Sequence, residues 1–541
     1  TAEDIAARPL VELGPLTGST PAEYAARKAI AASRGGTAPR AAPMTPGRPV
    51  NEAAASLTPQ TLRASFAGNA ESDCVGKLPP KTPFDQALAI GDGAAPILQV
   101  NNGCLSVWSQ AGVRLIGPKT LQAFAGLPAS EAVFSPRAIY DWYNHRFILA
   151  FGDSDLKNNS YYDIAVSVSD DPTGSWHVYR FLTPTRGNAF NDFIRLGQDR
   201  QGVYVASNLF NLTGGVLGAY LMEEWLFLPK SRLYAGTLGS SYWHQSGMQV
   251  NNQYTDSTQP ANVWSPYDNP RAEFLVGSFN INYGGGNCVN GCSGLYIWSV
   301  SNPFGWIEGG PDPEVFVSCC AGTSTYYLPP NASQSGAPNS IETLDTRITG
   351  QVSYKSGLLY AALTTADSTS TPPWSDVLVY RLFPGLGNEN TSCTGQYQYL
   401  CPLITNLSTF DESRIDYGGN FAFYPVPQPD LDGNVFTVYN FSGSGPSCDF
   451  SCYPSLAYVS KRATSTLGGF ADYGWLIAAG QAPYKSFPWG RYSAAAPTGV
   501  GYTDGGAVAT SGAGLAGAFV KAGGLWGTQI DAVAYTAPNQ P

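Results

Sequence analysis

The sequence predicts an all-β fold, a single seven-bladed β-propeller behind an N-terminal Ala/Pro-rich arm. Three observations predict it. Short alternating or aromatic runs recur along most of the chain, turns of Gly, Pro, Asn and Asp separate them, and no helical pattern intervenes. The runs group into units of ~40–60 residues, the size of a four-stranded blade. Without helices between strands, a doubly wound or TIM-barrel fold is excluded. A sandwich joined to a second β domain is the structural alternative.

Composition bounds the class. The 541 residues include 60 Gly and 41 Pro, and 43 % are hydrophobic, enough for a large core. Charged residues are only 13 %, about half the usual share. The net charge of −10 comes without a Lys/Arg stripe, which excludes nucleic acid as a partner. No apolar run approaches the ~18 residues of a transmembrane segment. Thr1 opens without an export signal, which reads as a mature secreted or cell-surface chain whose leader has been removed.

In chain order, residues 1–70 form the arm and 71–541 the propeller. The arm is nearly free of aromatics, and PAEYAARKAIAASR (21–34) is its one helix, closed by Gly35-Gly36. TAPRAAPMTPGRP after it reads as extended chain. The first unit is marked by LSVWSQAGVRLIG (105–117), the second by FSPRAIYDWYNHRFILAFG (134–152) with YYDIAVSVS (161–169). The third and fourth carry GVYVASNLF (202–210) with GAYLMEEWLF (218–227), and EFLVGSFNIN (273–282) with GLYIWSVS (294–301). The fifth and sixth carry GQVSYKSGLLYAALTT (350–365) with DVLVYRLF (376–383), and GNVFTVYNFSG (433–443) with PSLAYVSK (454–461). WGRYSAAAP (489–497) and GLWGTQIDAVAY (524–535) mark the last.

Ten cysteines, Cys74, Cys104, Cys288, Cys292, Cys319, Cys320, Cys393, Cys401, Cys448 and Cys452, read as disulfides rather than zinc ligands. The three histidines, His145, His177 and His244, adjoin none of them. Disulfides imply an oxidising compartment. If Cys74 pairs with Cys104, Cys319–Cys320 is left as a vicinal bridge, and cross-pairing with Cys288 or Cys292 stays open. Six glycosylation sequons, at Asn158, Asn211, Asn331, Asn390, Asn406 and Asn440, occur about as often as this composition supplies by chance.

Several phrases resemble a family of large secreted bacterial proteins, mostly uncharacterised and propeller-like. Their "DPRVxYD…RW" then "AVSxxxDPTGSWYxY" is met here by FSPRAIYDWYNHRFIL and IAVSVSDDPTGSWHVYRF (164–181). DFIRLGQDRQGVYVASN (192–208), LDTRITGQVSY (344–354), DLDGNVFTVYNFSG with CYPSLAY, and GQAPYKSFPWGRYSA (480–494) follow in the same order. The resemblance spans about residues 98–536 and implies secretion and a propeller, with no established activity. Ser135 stands where the pattern has Asp, and Pro488 and Arg491 replace the Arg and Asp around Trp489-Gly490.

SDDPTGSW (169–176) also resembles the Asp-box turn of sialidase-type propellers and a hairpin of arabinanase-like glycosidases. In both, an Asp caps the turn, Gly174 is expected at positive φ, and Trp176 packs between blades. A propeller glycosidase needs carboxylates converging on the axial funnel. Asp141, Asp163, Asp192, Glu273, Asp345 and Asp416 lie near strand starts, and Asp192, Asp345 and Asp163 are the catalytic candidates. Most have a plain alternative as a turn cap or Arg partner, Asp345 with Arg347 for example. Asp430, Asp432 and Asn434 form half of a calcium loop without the distal Glu, so calcium is the one cofactor to consider. No nucleophile elbow, zinc-protease or nucleotide motif occurs.

The expectation is a non-enzymatic propeller with a surface, matrix or assembly role, self-associating as a homo-oligomer or filament through residues 1–70. The alternative is a glycan-active hydrolase or lyase, or a glycan-binding module, working at the axial funnel.

Overall fold

The computed structural model describes residues 21–33, 60–74, 84–185, 188–280, 288–310, 312–337, 340–367, 373–387, 403–404, 406–416, 420–444, 453–470, 474–485, 488–499 and 511–535. The chain is all-β, made of antiparallel meanders. The first sheet runs Gln86–Ile90, Ile97–Asn101, Cys104–Trp108 and Arg114–Thr120, and the second Ala132–Asp141, Arg146–Ser154, Ser160–Ser167 and Trp176–Leu182. A twelve-stranded sheet follows. It divides into three meanders opened by Ala189–Gln198, Gln259–Asn262 and Val352–Lys355. These openers touch in parallel, Gln198 beside Asn262 and Ala261 beside Val352. The sixth unit runs Phe421–Pro429, Val435–Ser442, Ser455–Lys461 and Trp475–Ala478.

The last sheet joins the first and last described strands of the chain. Ala494–Thr498, Gly512–Val520 and Trp526–Tyr535 are completed by Gln60–Ala70, antiparallel to Trp526–Tyr535. Residues 60–70, expected in the arm, are therefore a structural strand. The expected helix is found at Pro21–Ser33. The extended stretch expected after it lies outside the described residues.

Burial follows position within a unit. Opening strands are buried at nearly every residue, whereas outer strands such as Arg114–Thr120 alternate between half-buried and exposed. An opener is covered on both faces; an outer strand keeps one face in water, and its sequence alternates accordingly. Consecutive units are joined by apolar clusters. Leu98, Val100 and Val107 meet Tyr140, Leu149 and Phe151 between units one and two. Phe436, Val438 and Tyr458 meet Leu515, Val533 and Tyr535 between six and seven. One further cluster returns from seven to one, where Ala494, Ala496 and Ile530 pack on Leu88, Ile90 and Trp108.

Cysteines bridge Cys74–Cys104, Cys288–Cys292 and Cys319–Cys320, the last across a cis peptide. Cys393, Cys401, Cys448 and Cys452 lie outside the described residues.

Candidate functional site

Five opening segments share a local distortion at the same end. Ser135, Phe193, Ser257, Leu344 and Tyr424 all have φ between 51° and 59°. At three of them the pairing with the second strand slips, between Phe134 and Arg137, Asp192 and Arg195, and Phe423 and Val426. A bulge bends the strand and re-aims its side chains. Positive φ at non-glycine residues is uncommon and persists only where its surroundings over-determine it.

What these bulges aim is a buried cluster of carboxylates and guanidiniums. Phe193 is its hub: Arg137, Arg195 and Arg347, from units two, three and five, lie 5.8, 5.2 and 5.1 Å from its ring centre. Tyr492 of unit seven lies 5.4 Å from the same ring. Arg491 reaches into the cluster from unit seven. Its backbone N–H and Nη2 donate to Asp85 at 2.6 and 3.2 Å, and Nη1 donates to Asp192 at 3.4 Å. Ser135 Oγ donates to Asp192 at 3.5 Å and accepts from the Tyr492 hydroxyl at 3.4 Å. Burial opposes the charge on Arg491, but Asp85 and Asp192 outweigh it and hold the guanidinium protonated. Arg137 stacks 3.8 Å over Tyr492 and donates to the carbonyls of Ile194 and Thr349.

On the other side of Phe193, Arg347 grips Asp345 through two parallel bonds of 2.8 and 2.7 Å. Asp256 stands nearby, one oxygen accepting from Asn280 at 2.7 Å and the other without a hydrogen-bond partner. Burial raises the Asp256 pKa, the Asp345 charge adds to the rise, and Arg347 opposes it. Arg195 and Glu223 form a fully buried pair at 2.6 Å, and burial likewise raises Glu223. Behind the cluster a narrow cavity of about 30 Å³ is lined by opening segments of six units, including Gln86, Arg137, Asn262, Gln351, Val426 and Ser493.

The N-terminal helix lies against the same end. Tyr24 donates to Glu342 Oε1 at 2.8 Å, and Lys28 Nζ stands 3.4 Å from the same oxygen. Glu342 precedes Asp345 by three residues, and its carbonyl accepts from the Tyr424 hydroxyl at 2.8 Å.

Of the three catalytic candidates, Asp192 and Asp345 come together around Phe193 and Asp163 does not. Asp163 is buried on the third strand of unit two, beside Asp153 and opposite Arg180. Burial and the Asp153 carboxylate push its pKa up to about 10. Asp141 accepts from Lys230 at 2.7 Å and Tyr234 at 2.6 Å and caps a turn through the amide of Tyr143. Glu273 is buried at the start of a second strand, and Asp416 accepts from the Trp374 indole at 3.3 Å. The Asp430 carboxylate is occupied by the amides of Asp432 and Asn434 and the Asn434 side chain, at 2.9–3.0 Å. That loop is a self-satisfied turn. Among the described residues no group of three His, Cys, Asp or Glu is arranged to hold a metal.

In SDDPTGSW, Asp171 caps the turn through the Thr173 amide, and Trp176 packs edge-on against Phe124 at 5.2 Å. Gly174, expected at positive φ, is not among the positive-φ glycines, because the turn closes by its N–H donating to the Asp171 carbonyl. Asn158 and Asn406 are exposed, Asn211 and Asn331 half-buried, and Asn390 lies outside the described residues. Asn440 is buried, its side-chain nitrogen donating to the carbonyls of Ser455 and Ala518, so no glycan fits there.

Sequence reasoning missed Asp85, Asp256, Glu342 and the role of Arg491. A signal existed: Ser135-Pro-Arg137, Asp192-Phe-Ile-Arg195 and Asp345-Thr-Arg347 repeat an acid-or-hydroxyl then Arg phrase at the openers of units two, three and five. Ser135 and Arg491, two departures from the resembled pattern, both touch Asp192.

No family model matches the chain, and neither does any curated protein. Solved structures do. A subtype N10 neuraminidase-like protein of A/little yellow-shouldered bat/Guatemala/060/2010 is 7 % identical, with a TM-score of 0.36, over 71 % of this chain and 96 % of that one. The sialidase of Trypanosoma rangeli is 7 % identical, with a TM-score of 0.33, over 74 % of this chain and 54 % of its own. A family-43 endo-arabinanase from Bacillus licheniformis is 12 % identical, with a TM-score of 0.27, over 70 % and 94 %. The expected non-enzymatic surface or assembly role is withdrawn: the solved structures similar to this chain include glycoside hydrolases and sialidases. Likeness this distant assigns no substrate or reaction, and those rest on the geometry. Among the described residues no helix is long and apolar enough to cross a membrane.

Proposed function

We propose that the chain is a secreted glycan-active hydrolase, built as a seven-bladed propeller whose last blade is closed by residues 60–70. The observation that carries the reading is the convergence of Arg137, Arg195, Arg347 and Tyr492, from four units, on the Phe193 ring. Opening segments of different units meet this way when they surround one axis. The apolar cluster returning from unit seven to unit one supports closure, and the three cystine bridges support an oxidising compartment.

Glycoside hydrolysis needs one carboxyl group that keeps its proton and one that has lost it. Asp256, pushed up by burial and carrying an unpartnered oxygen, fits the proton donor. Asp345, in its bidentate bond to Arg347, fits the carboxylate. Water adds to the anomeric carbon as the glycosidic C–O bond breaks. Asp256 delivers its proton to the leaving oxygen, and the carboxylate of Asp345 takes one from the water.

The test is a panel of plant, algal and microbial polysaccharides scored for new reducing ends. Because the N-terminal helix overlies the site, the panel is run with the chain intact and after cutting at a protease site inserted between residues 34 and 59. Turnover of at least one glycan, abolished by Asp256→Asn, is the expected result. No product from any glycan in either form overturns the reading.

A further inference from the structure

We propose that the helix Pro21–Ser33 is a displaceable internal plug, which fills a donor-binding subsite at the axial mouth and closes it to glycans. The ligand class rests on the function proposed above; the plug itself rests on the helix and its seat.

The seat is built by the propeller. Lys28 Nζ donates to the carbonyls of Pro329 and Leu344 at 2.7 and 2.5 Å and to Thr343 Oγ1 at 3.0 Å, beside Glu342. Tyr24 donates to the same carboxylate. Every one of these partner atoms is an acceptor in these contacts, and all come from Pro329 and the short segment 342–344. The second leads directly into Asp345. Such a pocket takes donors, which are the hydroxyl or amino groups of a sugar. Lys28 and Tyr24 supply an ammonium and a hydroxyl in their place.

The helix is attached as a plug is, along one narrow line. Of its described side chains only Tyr24, Lys28 and Ala31 are buried, spaced i, i+4, i+7 on one face. Two of the three are polar-tipped, and Ala31 packs on Val289 and Leu328. Ile30 remains half-exposed on the outer side. A 13-residue helix is marginal on its own in water, so its order depends on this seat. The strand Gln60–Ala70, by contrast, is paired along its length with Trp526–Tyr535. Cutting between residues 34 and 59 therefore separates a lightly held helix from a strand that stays in its sheet.

The experiment uses the full chain carrying the inserted protease site, and the uncut double variant Tyr24→Phe, Lys28→Met. After the cut, residues 1–33 are expected to leave the remainder on gel filtration. Amide exchange across 326–330 and 340–346 should then speed up at least tenfold, with the near-UV spectrum of the sheets unchanged. The double variant should give the same exchange without a cut. Residues 1–33 staying bound with the mouth equally protected would overturn the plug. Loss of the sheet signal on release would also overturn it, by making the helix a structural element. A cut chain with an open mouth and no product from any glycan supports the plug and fails the hydrolase reading. Turnover appearing only after the cut supports both.

Discussion

Buried aspartates occur at both ends of the opening strands, and the two sets differ in where their partners come from. At the far end they cap their own turns, and Asp141 also accepts from Lys230 and Tyr234. Asp141 accepts from the amide two residues on, Asp199 from amides two and three residues on, and Asp430 from amides two and four residues on. At the mouth Asp345 is likewise held by the nearby Arg347, but Asp85 is held by the Arg491 side chain across 406 residues, and Asp192 by the same side chain across 299. A local cap fixes a turn. A remote guanidinium instead holds charged groups from different units against one another, where a ligand can meet several of them. Asp256 at the mouth has neither kind of partner on one oxygen, which is why it is proposed as the proton donor.

The comparison can be broken by substitution. The largest expected effect is on turnover: Asp256→Asn in the cut chain should lower kcat by about 10²–10⁴-fold, the usual worth of a positioned acid or base. Arg491→Met strands Asp85 and Asp192 in the interior and should cost about 3–5 kcal/mol in a denaturant titration. Asp430→Ala removes a local acceptor from two turn amides and should cost only about 1–3 kcal/mol, without touching turnover.

A subtler effect concerns Asp163. Its folded-state pKa of about 10 lies above the ordinary 3.8, so its contribution to stability is fully present below about pH 4 and is lost as pH rises toward 10. Asp163→Asn should therefore flatten the fall in stability between those limits while leaving turnover unchanged. Unfolding midpoints of both proteins from pH 4 to pH 10 check it. The smallest expectation is that Asn440 carries no glycan when the chain is produced in a eukaryotic host, read by peptide mass spectrometry.

The same distinction between local and remote explains what was legible in the sequence. The helix at 21–33, the meander strands and the Asp171 cap are set by residues within a few positions of each other, and pattern reading reaches them. The pairing of Asp345 with Arg347 is legible for the same reason. Gln60–Ala70 was read as arm because its partner is the last described strand of the chain, beyond any local pattern. Asp85 and Asp256 escaped because what marks them is a neighbour from another unit. Asp163 passed for a funnel residue because position along a strand does not tell an opening strand from a third one.

The central claim is that the buried carboxylates at the mouth do the chemistry while the turn-capping ones at the far end hold the fold. The most direct test measures product release from one glycan by the cut chain, its Asp345→Asn variant and its Asp430→Asn variant, side by side. Turnover lost in the first variant and kept in the second is the predicted result. Equal loss in both, or turnover surviving Asp345→Asn in a folded protein, would contradict it.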